Sequence, residues 1–156
     1  MKLKYKILDS RIGNEYDVPK YQTKGSAGLD LIACCDDSFT LSPNEATIIP
    51  SGISIYIDDP GYAGIVIPRS GLGAKKGLVC GNLMGLIDSD YQGPLSISLW
   101  NRSSEPIEIN PGERVAQLVV IKVNQVELDL VEEFETSERG SEGFGSTGVN
   151  LSLIHI

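Results

Sequence analysis

Three stretches of this sequence carry more glycine and polar residues than a simple strand needs, and each has the composition of a chemical site. The longest, Gly81-Asn82-Leu83-Met84-Gly85-Leu86-Ile87-Asp88-Ser89-Asp90-Tyr91-Gln92-Gly93-Pro94, is flanked by apolar runs and reads as a hairpin whose tip carries Asp88, Asp90 and Tyr91. A carboxylate there can take a proton from attacking water, and the Asn82 amide has the donor and acceptor needed to read a base edge. An Asp-Ser-Asp triplet is more commonly an Asx-rich turn, so composition alone leaves both readings open.

The second stretch is Pro68-Arg69-Ser70-Gly71-Leu72-Gly73. Pro and Gly shape a tight backbone, Arg69 offers a bidentate cation, and Ser70 offers a hydroxyl at the start of a short helix, where free N–H groups favour anions. The same residues serve equally well as a capped helix with a surface arginine. The third stretch, Arg139 to Gly148, sets one aromatic ring, Phe144, among glycines and small hydroxyl residues. Such a loop can fold over a nucleotide, its ring stacking on a base and its amides wrapping phosphates, or it can be an inert linker. Gln117, inside an apolar run, needs a polar partner if buried. Asp30, in a strand-like Ala27-Gly28-Leu29-Asp30-Leu31, is most simply paired with an arginine.

What the sequence lacks narrows the chemistry further. Its one histidine is His155, next to last in the chain, so a Ser-His-Asp triad, a Cys-His pair or a histidine-rich zinc site has no credible source. Acid-base work falls to carboxylates. The chain has 21 acids and 13 bases, a net charge of -8 and a pI near 4.6, which argues against broad affinity for nucleic acid. Cys34, Cys35 and Cys80 offer neither a disulfide framework nor metal-ligand spacing, as in a reduced cytoplasmic protein. The N-terminus has no apolar signal core and no stretch approaches a membrane span, so neither export nor a membrane partner is expected.

The elements that must position these residues read as β. Apolar residues alternate at Ile53, Ile55 and Ile57, at Leu95, Ile97 and Leu99, and at Ile107 and Ile109. Turns are signalled at Ser42-Pro43-Asn44, Asp59-Pro60-Gly61, Gln92-Gly93-Pro94 and Asn110-Pro111-Gly112. Val115 to Val123, apolar on both faces save Gln117 and Lys122, reads as a central strand. One short helix is expected over Gly71 to Lys76, capped by Ser70 and ended by Gly77. Gln125 to Glu138, where Val126, Leu128 and Leu130 alternate among six acids, is read as extended. The class is therefore all-β: a sandwich, barrel or jelly roll in 156 residues, enough for one ordinary domain.

Taken in order, the segments AGLDL at 27 to 31, PRSGLG at 68 to 73, GNLMGLIDSDYQG at 81 to 93, GERVAQL at 112 to 118 and RGSEGFGSTG at 139 to 148 resemble the five motifs of the trimeric deoxyuridine triphosphatases. The resemblance implies a jelly-roll-like β subunit over residues 1 to 138 and a closing arm at 139 to 148. It implies a homotrimer with shared active sites that hydrolyses dUTP to dUMP and pyrophosphate, keeping uracil out of DNA and supplying dUMP for thymidylate synthesis. Asp88 would deprotonate the attacking water, aided by Gln117. Asn82, with the main chain from Leu83 through Leu86 to Ile87, would bind uracil, and Tyr91 would pack beneath the deoxyribose. Arg69, Ser70, Gly71 and Gln117 would hold phosphates, while Arg139, Phe144, Gly145, Ser146 and Thr147 would close over the nucleotide. Mg2+ would be held by phosphates and water with no direct protein ligand, leaving Asp30 an arginine-pairing role.

One motif departs from the family pattern, which usually places glycine where this chain has Glu142. A non-glycine residue there resists positive φ, and its carboxylate would repel a triphosphate, so a raised KM is expected. For Val149 to Ile156 the resemblance implies nothing; their apolar pattern suits a packed extension or a non-native tail. Competing readings are a dCTP deaminase-like enzyme, which would release ammonia, a nucleotide-binding regulatory protein with little turnover, and a structural jelly roll.

Overall fold

The computed structural model describes residues 1 to 148, which fall into two compact units, Met1–Gln125 and a second from Val126 onward. Among the described residues, the first unit holds every strand. In chain order these are β1 (Lys4–Ile7), β2 (Leu29–Ile32), β3 (Phe39–Leu41), β4 (Ala46–Tyr56), β5 (Tyr62–Pro68), helix α1 (Ser70–Lys75), β6 (Leu78–Cys80), β7 (Gly85–Ile87), β8 (Pro94–Asn101), β9 (Ile107–Ile109) and β10 (Arg114–Lys122). They form two four-stranded antiparallel sheets, ordered β1-β4-β8-β6 and β2-β10-β5-β7, and a two-stranded ribbon β3-β9. This is the all-β architecture that the alternation predicts and the jelly-roll-like subunit that the resemblance implies.

The alternating residues form the core. Ile53, Ile55, Leu95, Ile97, Leu99, Ile107 and Ile109 are buried, as are Val115, Ala116 and Leu118 on β10, which runs centrally between β2 and β5. Each CH2 removed from water contributes about 0.8 kcal/mol, so this shared interior is the main force joining the sheets. The turn signals lie at turns: Tyr62 N–H bonds to the Asp59 carbonyl, and Glu113 N–H to the Asn110 carbonyl. Asn101, fully buried at the end of β8, was not singled out by pattern. Its amide donates to the Leu41 and Glu105 carbonyls while its oxygen accepts from Ser103 N–H and Oγ–H, so every hydrogen-bonding position is used.

Three local expectations are corrected. Helix α1 starts at Ser70, but its N-cap is Arg69 and no side chain caps it; Ser70, inside the helix, keeps its hydroxyl free. The segment 81 to 94 is not a plain hairpin. Strands β6 and β8 pair with each other, but the chain between them detours through β7 onto β5 in the other sheet, so the segment bridges both sheets. Residues 125 to 138 form neither strand nor helix. Val126, Leu128, Leu130 and Phe134 are largely exposed, because alternation makes a strand only where a neighbouring strand supplies the ladder. The expectation for residues 149 to 156 lies outside the described residues. Among the described residues, no helix is long and apolar enough to cross a membrane.

Candidate active site

Strand β5 has a site at each end. At its C-terminal end, Pro68 pairs with Ala116 of β10, and Gln117 of β10 stands between Asp30 of β2 and Ile67 of β5. Asp30, with only 14% of its side chain exposed, holds two arginines: Arg69 Nε lies 3.0 Å from one carboxylate oxygen and Arg114 Nη1 lies 3.1 Å from the other. Arg69 Nη1 also donates to the Arg114 carbonyl at 3.2 Å, fixing the plane of its guanidinium. Gln117 Nε2 donates to the Pro68 carbonyl at 3.0 Å. A Cβ at position 28 would lie 2.5 Å from Gln117 Oε1, so only glycine lets this amide sit where it does. These residues, with Ser70, Gly71 and Leu72, line an open cleft of about 470 Å3. Its cations and unfilled α1 amides suit a phosphate chain.

At the other end, β7 leads into the turn from Asp88 to Tyr91, closed by Tyr91 N–H on the Asp88 carbonyl. The Tyr91 hydroxyl donates to the Pro94 carbonyl at 2.8 Å, and its ring lies so close over Gly93 that a Cβ there would meet the phenol oxygen at 2.5 Å. Leu86, Ile87, Asp88, Tyr91, Pro94, Leu95 and Ser96 line a pocket of about 230 Å3. Among the described residues, the Asp88 carboxylate has no hydrogen-bonding or ionic partner, and it is exposed. The turn is tied from behind by Asp58, whose N–H donates to the Ser89 carbonyl at 2.9 Å. Asp58 adopts φ 65° and is braced by Lys4 at 2.7 Å and the Tyr56 hydroxyl at 2.6 Å; the Lys4 hydrogen bond, then that of Tyr56, holds its carboxyl below the usual range. Before β7, Leu83 turns the chain with φ 64°, its N–H on the Cys80 carbonyl, and Asn82 is exposed beside Gly85. Strand β7 is the outer strand of its sheet, so backbone groups on its free edge are open to a planar ligand.

The structure thus groups Arg69, Ser70, Gly71, Gln117 and Asp30 in one place, and Leu86, Ile87, Asp88 and Tyr91 in another. It does not bring the two groups together within one chain. Ile87 pairs with Gly64, so Asp88 stands level with Ala63, six residues from Arg69. At about 3.3 Å per residue this is roughly 20 Å, far beyond the span of three phosphates joined by single bridging oxygens.

In the second unit, the Arg139 guanidinium donates to Ser146 Oγ at 2.6 Å and 3.0 Å, and short turns fold residues 139 to 148. Gly140 and Gly145 take positive φ, Glu142 does not, and Phe144 is fully exposed with Thr147 nearby in sequence. Among the described residues, no three His, Cys, Asp or Glu side chains converge into a metal cage, and both Asp30 oxygens are engaged by arginine. This donor set fits a Mg2+ held by phosphate and water rather than by carboxylates.

The profile of the dUTPase family matches residues 14 to 148. The chain belongs to the dUTPase family. The deoxyuridine 5'-triphosphate nucleotidohydrolase of Haemophilus influenzae is 58% identical over 147 residues, covering 94% of this chain and 97% of that one. The enzyme of the same name from Alcanivorax borkumensis is 57% identical over 148 residues, covering 95% and 99%. Among solved structures, a variant of the Staphylococcus bacteriophage 80alpha dUTPase with dUpNHpp has a TM-score of 0.80 at 32% identity, covering 95% of this chain and 99% of that one. A phage phi11 dUTPase variant, in which coordination of a structural Mg(II) ion is described, has a TM-score of 0.75 at 26% identity, covering 87% and 100%.

One residue of the cleft, Arg114, was not singled out by the sequence: its neighbours in GERVAQL are those of a strand start, and only the irregular register of β10 against β2 brings it beside Asp30.

Proposed function

We infer that this dUTPase-family chain hydrolyses dUTP to dUMP and pyrophosphate, with Asp88 as the general base. The carboxylate takes a proton from water as its oxygen bonds to the α-phosphorus, and the bond from that phosphorus to the bridging oxygen breaks, releasing pyrophosphate. Asn82 and the main chain from Leu83 through the free edge of β7 to Ile87 present amide and carbonyl groups to the alternating acceptor, donor and acceptor of uracil. Cytosine would leave these groups mispaired. Tyr91, held by its own hydroxyl bond, occupies the space that a 2'-hydroxyl needs. Arg69, Ser70 and Gly71 hold phosphate oxygens, and Gln117 positions phosphate or water. Mg2+ bound through the phosphates and water would neutralise part of the triphosphate charge.

The observation that carries this reading further is the distance along β5. One nucleotide cannot touch Asp88 and Arg69 of the same chain, so each active site joins the carboxylate pocket of one copy to the phosphate cleft of another. That distance calls for at least two copies, and the family resemblance makes the assembly a homotrimer, with residues 1 to 138 as the β domain. Residues 139 to 148 supply a closing arm in which Arg139 and Phe144 cover the nucleotide with Gly145, Ser146 and Thr147. The proposed location is the cytoplasm.

Mixing two inactive variants tests the arrangement. Asp88→Asn and Arg69→Ala, each alone, lose dUTP turnover measured by pyrophosphate release. Dissociated and reassembled together, they regain activity, because some sites then combine an intact Asp88 from one copy with an intact Arg69 from another. Mixtures no more active than the separate proteins would rule out the shared site.

A further inference from the structure

We propose that Asp58 is a positioning residue for the turn that carries Asp88 and Tyr91, and that Lys4 and Tyr56 clamp its carboxylate so that its main chain keeps hold of that turn. The inference rests on the reading of Asp88 as the general base and adds the residues that hold it in place.

The first support is how the turn is attached. It hangs from β7, an outer strand of three residues. Ser89 and Asp90 are its central residues, and Tyr91 N–H closes it on the Asp88 carbonyl. Neither central residue takes a positive φ, which excludes the type II and primed turns. Types I and II differ by a flip of the peptide between the two central residues, and the oxygen of that peptide is the Ser89 carbonyl. Among the described residues, the one hydrogen bond that reaches this peptide is the 2.9 Å bond from Asp58 N–H. Asp58 thus grips the group that would swing if the turn changed shape, and the Asp88 and Tyr91 side chains leave from the two ends of that turn.

The second support is how Asp58 itself is held. Its φ of 65° lies in the left-handed region, which residues other than Gly, Asn and Asp rarely enter. The neighbouring Asp59 serves its own loop: its carboxylate accepts from Gly61 N–H at 2.8 Å and its carbonyl from Tyr62 N–H at 3.0 Å. The Asp58 carboxylate reaches back to the other sheet instead. One oxygen accepts from the Tyr56 hydroxyl at 2.6 Å and the other from Lys4 Nζ at 2.7 Å. Lys4 and Tyr56 are paired across β1 and β4, with the ammonium 5.1 Å from the ring centroid. An exposed ion pair adds little stability by itself. With both oxygens engaged, however, the Asp58 side chain loses its rotation and the strained main chain keeps its direction. The hydrogen bonds to Asp58 are also the largest cause that raises Lys4 and Tyr56 above their ordinary values, while Asp58 is lowered, so none of the three titrates near neutral pH.

Turnover of dUTP and UTP by full-length variants, with affinity for the non-hydrolysable analogue dUpNHpp, tests the role. Asp58→Ala is expected to lower kcat for dUTP about tenfold, short of the roughly hundredfold that an ångström of misplacement can cost, with dUpNHpp affinity nearly unchanged. It is also expected to raise UTP turnover relative to dUTP severalfold, because Tyr91 stands on the same turn. That ratio does not depend on how much of a sample is folded, so general destabilisation cannot move it. Asp58→Asn tolerates the same φ and keeps an oxygen for Tyr56, and is expected to recover most of both changes. Tyr56→Phe combined with Lys4→Met, which releases the clamp but keeps Asp58, shifts kcat and the ratio in the same direction and adds little in an Asp58→Ala background; it replaces Asp58→Ala if that variant fails to fold. Unchanged kcat in Asp58→Ala, a lower kcat with the UTP to dUTP ratio unmoved, or Asp58→Asn no better than Asp58→Ala overturns the positioning role. Asp88→Asn is measured alongside: if it turns over dUTP like the unaltered protein, the reading of Asp88 as base fails, whereas if Asp88→Asn is inactive and Asp58→Ala is unimpaired, only the present inference does.

Discussion

The two ends of β5 are built on opposite plans. Around Asp30 every charge is paired in advance: one carboxylate, two guanidiniums and an amide locked by glycine and a carbonyl. Around Asp88 the turn is held by Asp58 N–H on the Ser89 carbonyl and by the Tyr91 hydroxyl on the Pro94 carbonyl, but among the described residues the carboxylate itself is left without a partner. The contrast matches what the proposed function asks of each end. A group that holds charge works best when its geometry is fixed before the ligand arrives, whereas a group that accepts a proton needs its lone pairs free for water.

Breaking the reacting end has the largest expected effect. Asp88→Asn keeps the shape and removes the proposed base, so kcat is expected to fall by about 10^2 to 10^4, with dUpNHpp affinity retained. Parallel loss of affinity would mean that Asp88 holds the nucleotide instead of activating water. Next comes the sugar wall. Tyr91→Ala opens the space above Gly93 and is expected to raise UTP turnover relative to dUTP by about 10- to 100-fold, the scale set by steric discrimination in a pocket. An unchanged ratio would remove Tyr91 from sugar selection.

The holding end is sharpened by its glycine. Gly28→Ala pushes a Cβ into Gln117 Oε1, and a displaced amide is expected to lower kcat/KM about tenfold, while Gln117→Ala in that background adds little. Additive losses would show that Gly28 serves the backbone alone. The smallest effect is expected at the arm. Glu142 has no left-handed strain in this structure, so its cost is charge alone. At ordinary ionic strength one exposed charge near a triphosphate is screened to about 1 kcal/mol or less. Glu142→Gly is expected to lower KM several-fold at low salt, with the difference shrinking as salt rises and kcat unaltered. A KM indifferent to the substitution would leave position 142 without influence on closure.

Much of this was legible in advance, for physical reasons that differ by region. Ile53, Ile55, Leu95, Ile97 and Leu99 announce strands because a two-residue period needs only local sequence to be read. Arg69, Gln117 and Asp88 were visible because their residue types are costly or unusual in the apolar or glycine-rich runs that surround them. The position of Arg114 was not visible, since a bulge at Val115 is decided by how β10 meets β2 rather than by either strand alone. The detour of β7 onto the other sheet is equally non-local, because Gly85, Leu86 and Ile87 fit a strand in any sheet. For residues 125 to 138 the alternation pointed to an extended strand that does not form, because a pattern cannot supply the neighbour that would make it one.

The phenol of Tyr91 is tethered to the main chain of the next strand, so the sugar wall proposed for it is a property of the resting molecule. A wall moored to a carbonyl does not wait for a lid to swing shut. On the proposed role, rejection of the ribose form occurs at entry, and discrimination between the two sugars is expected to persist when the arm is cut away after Gln125, even as turnover collapses.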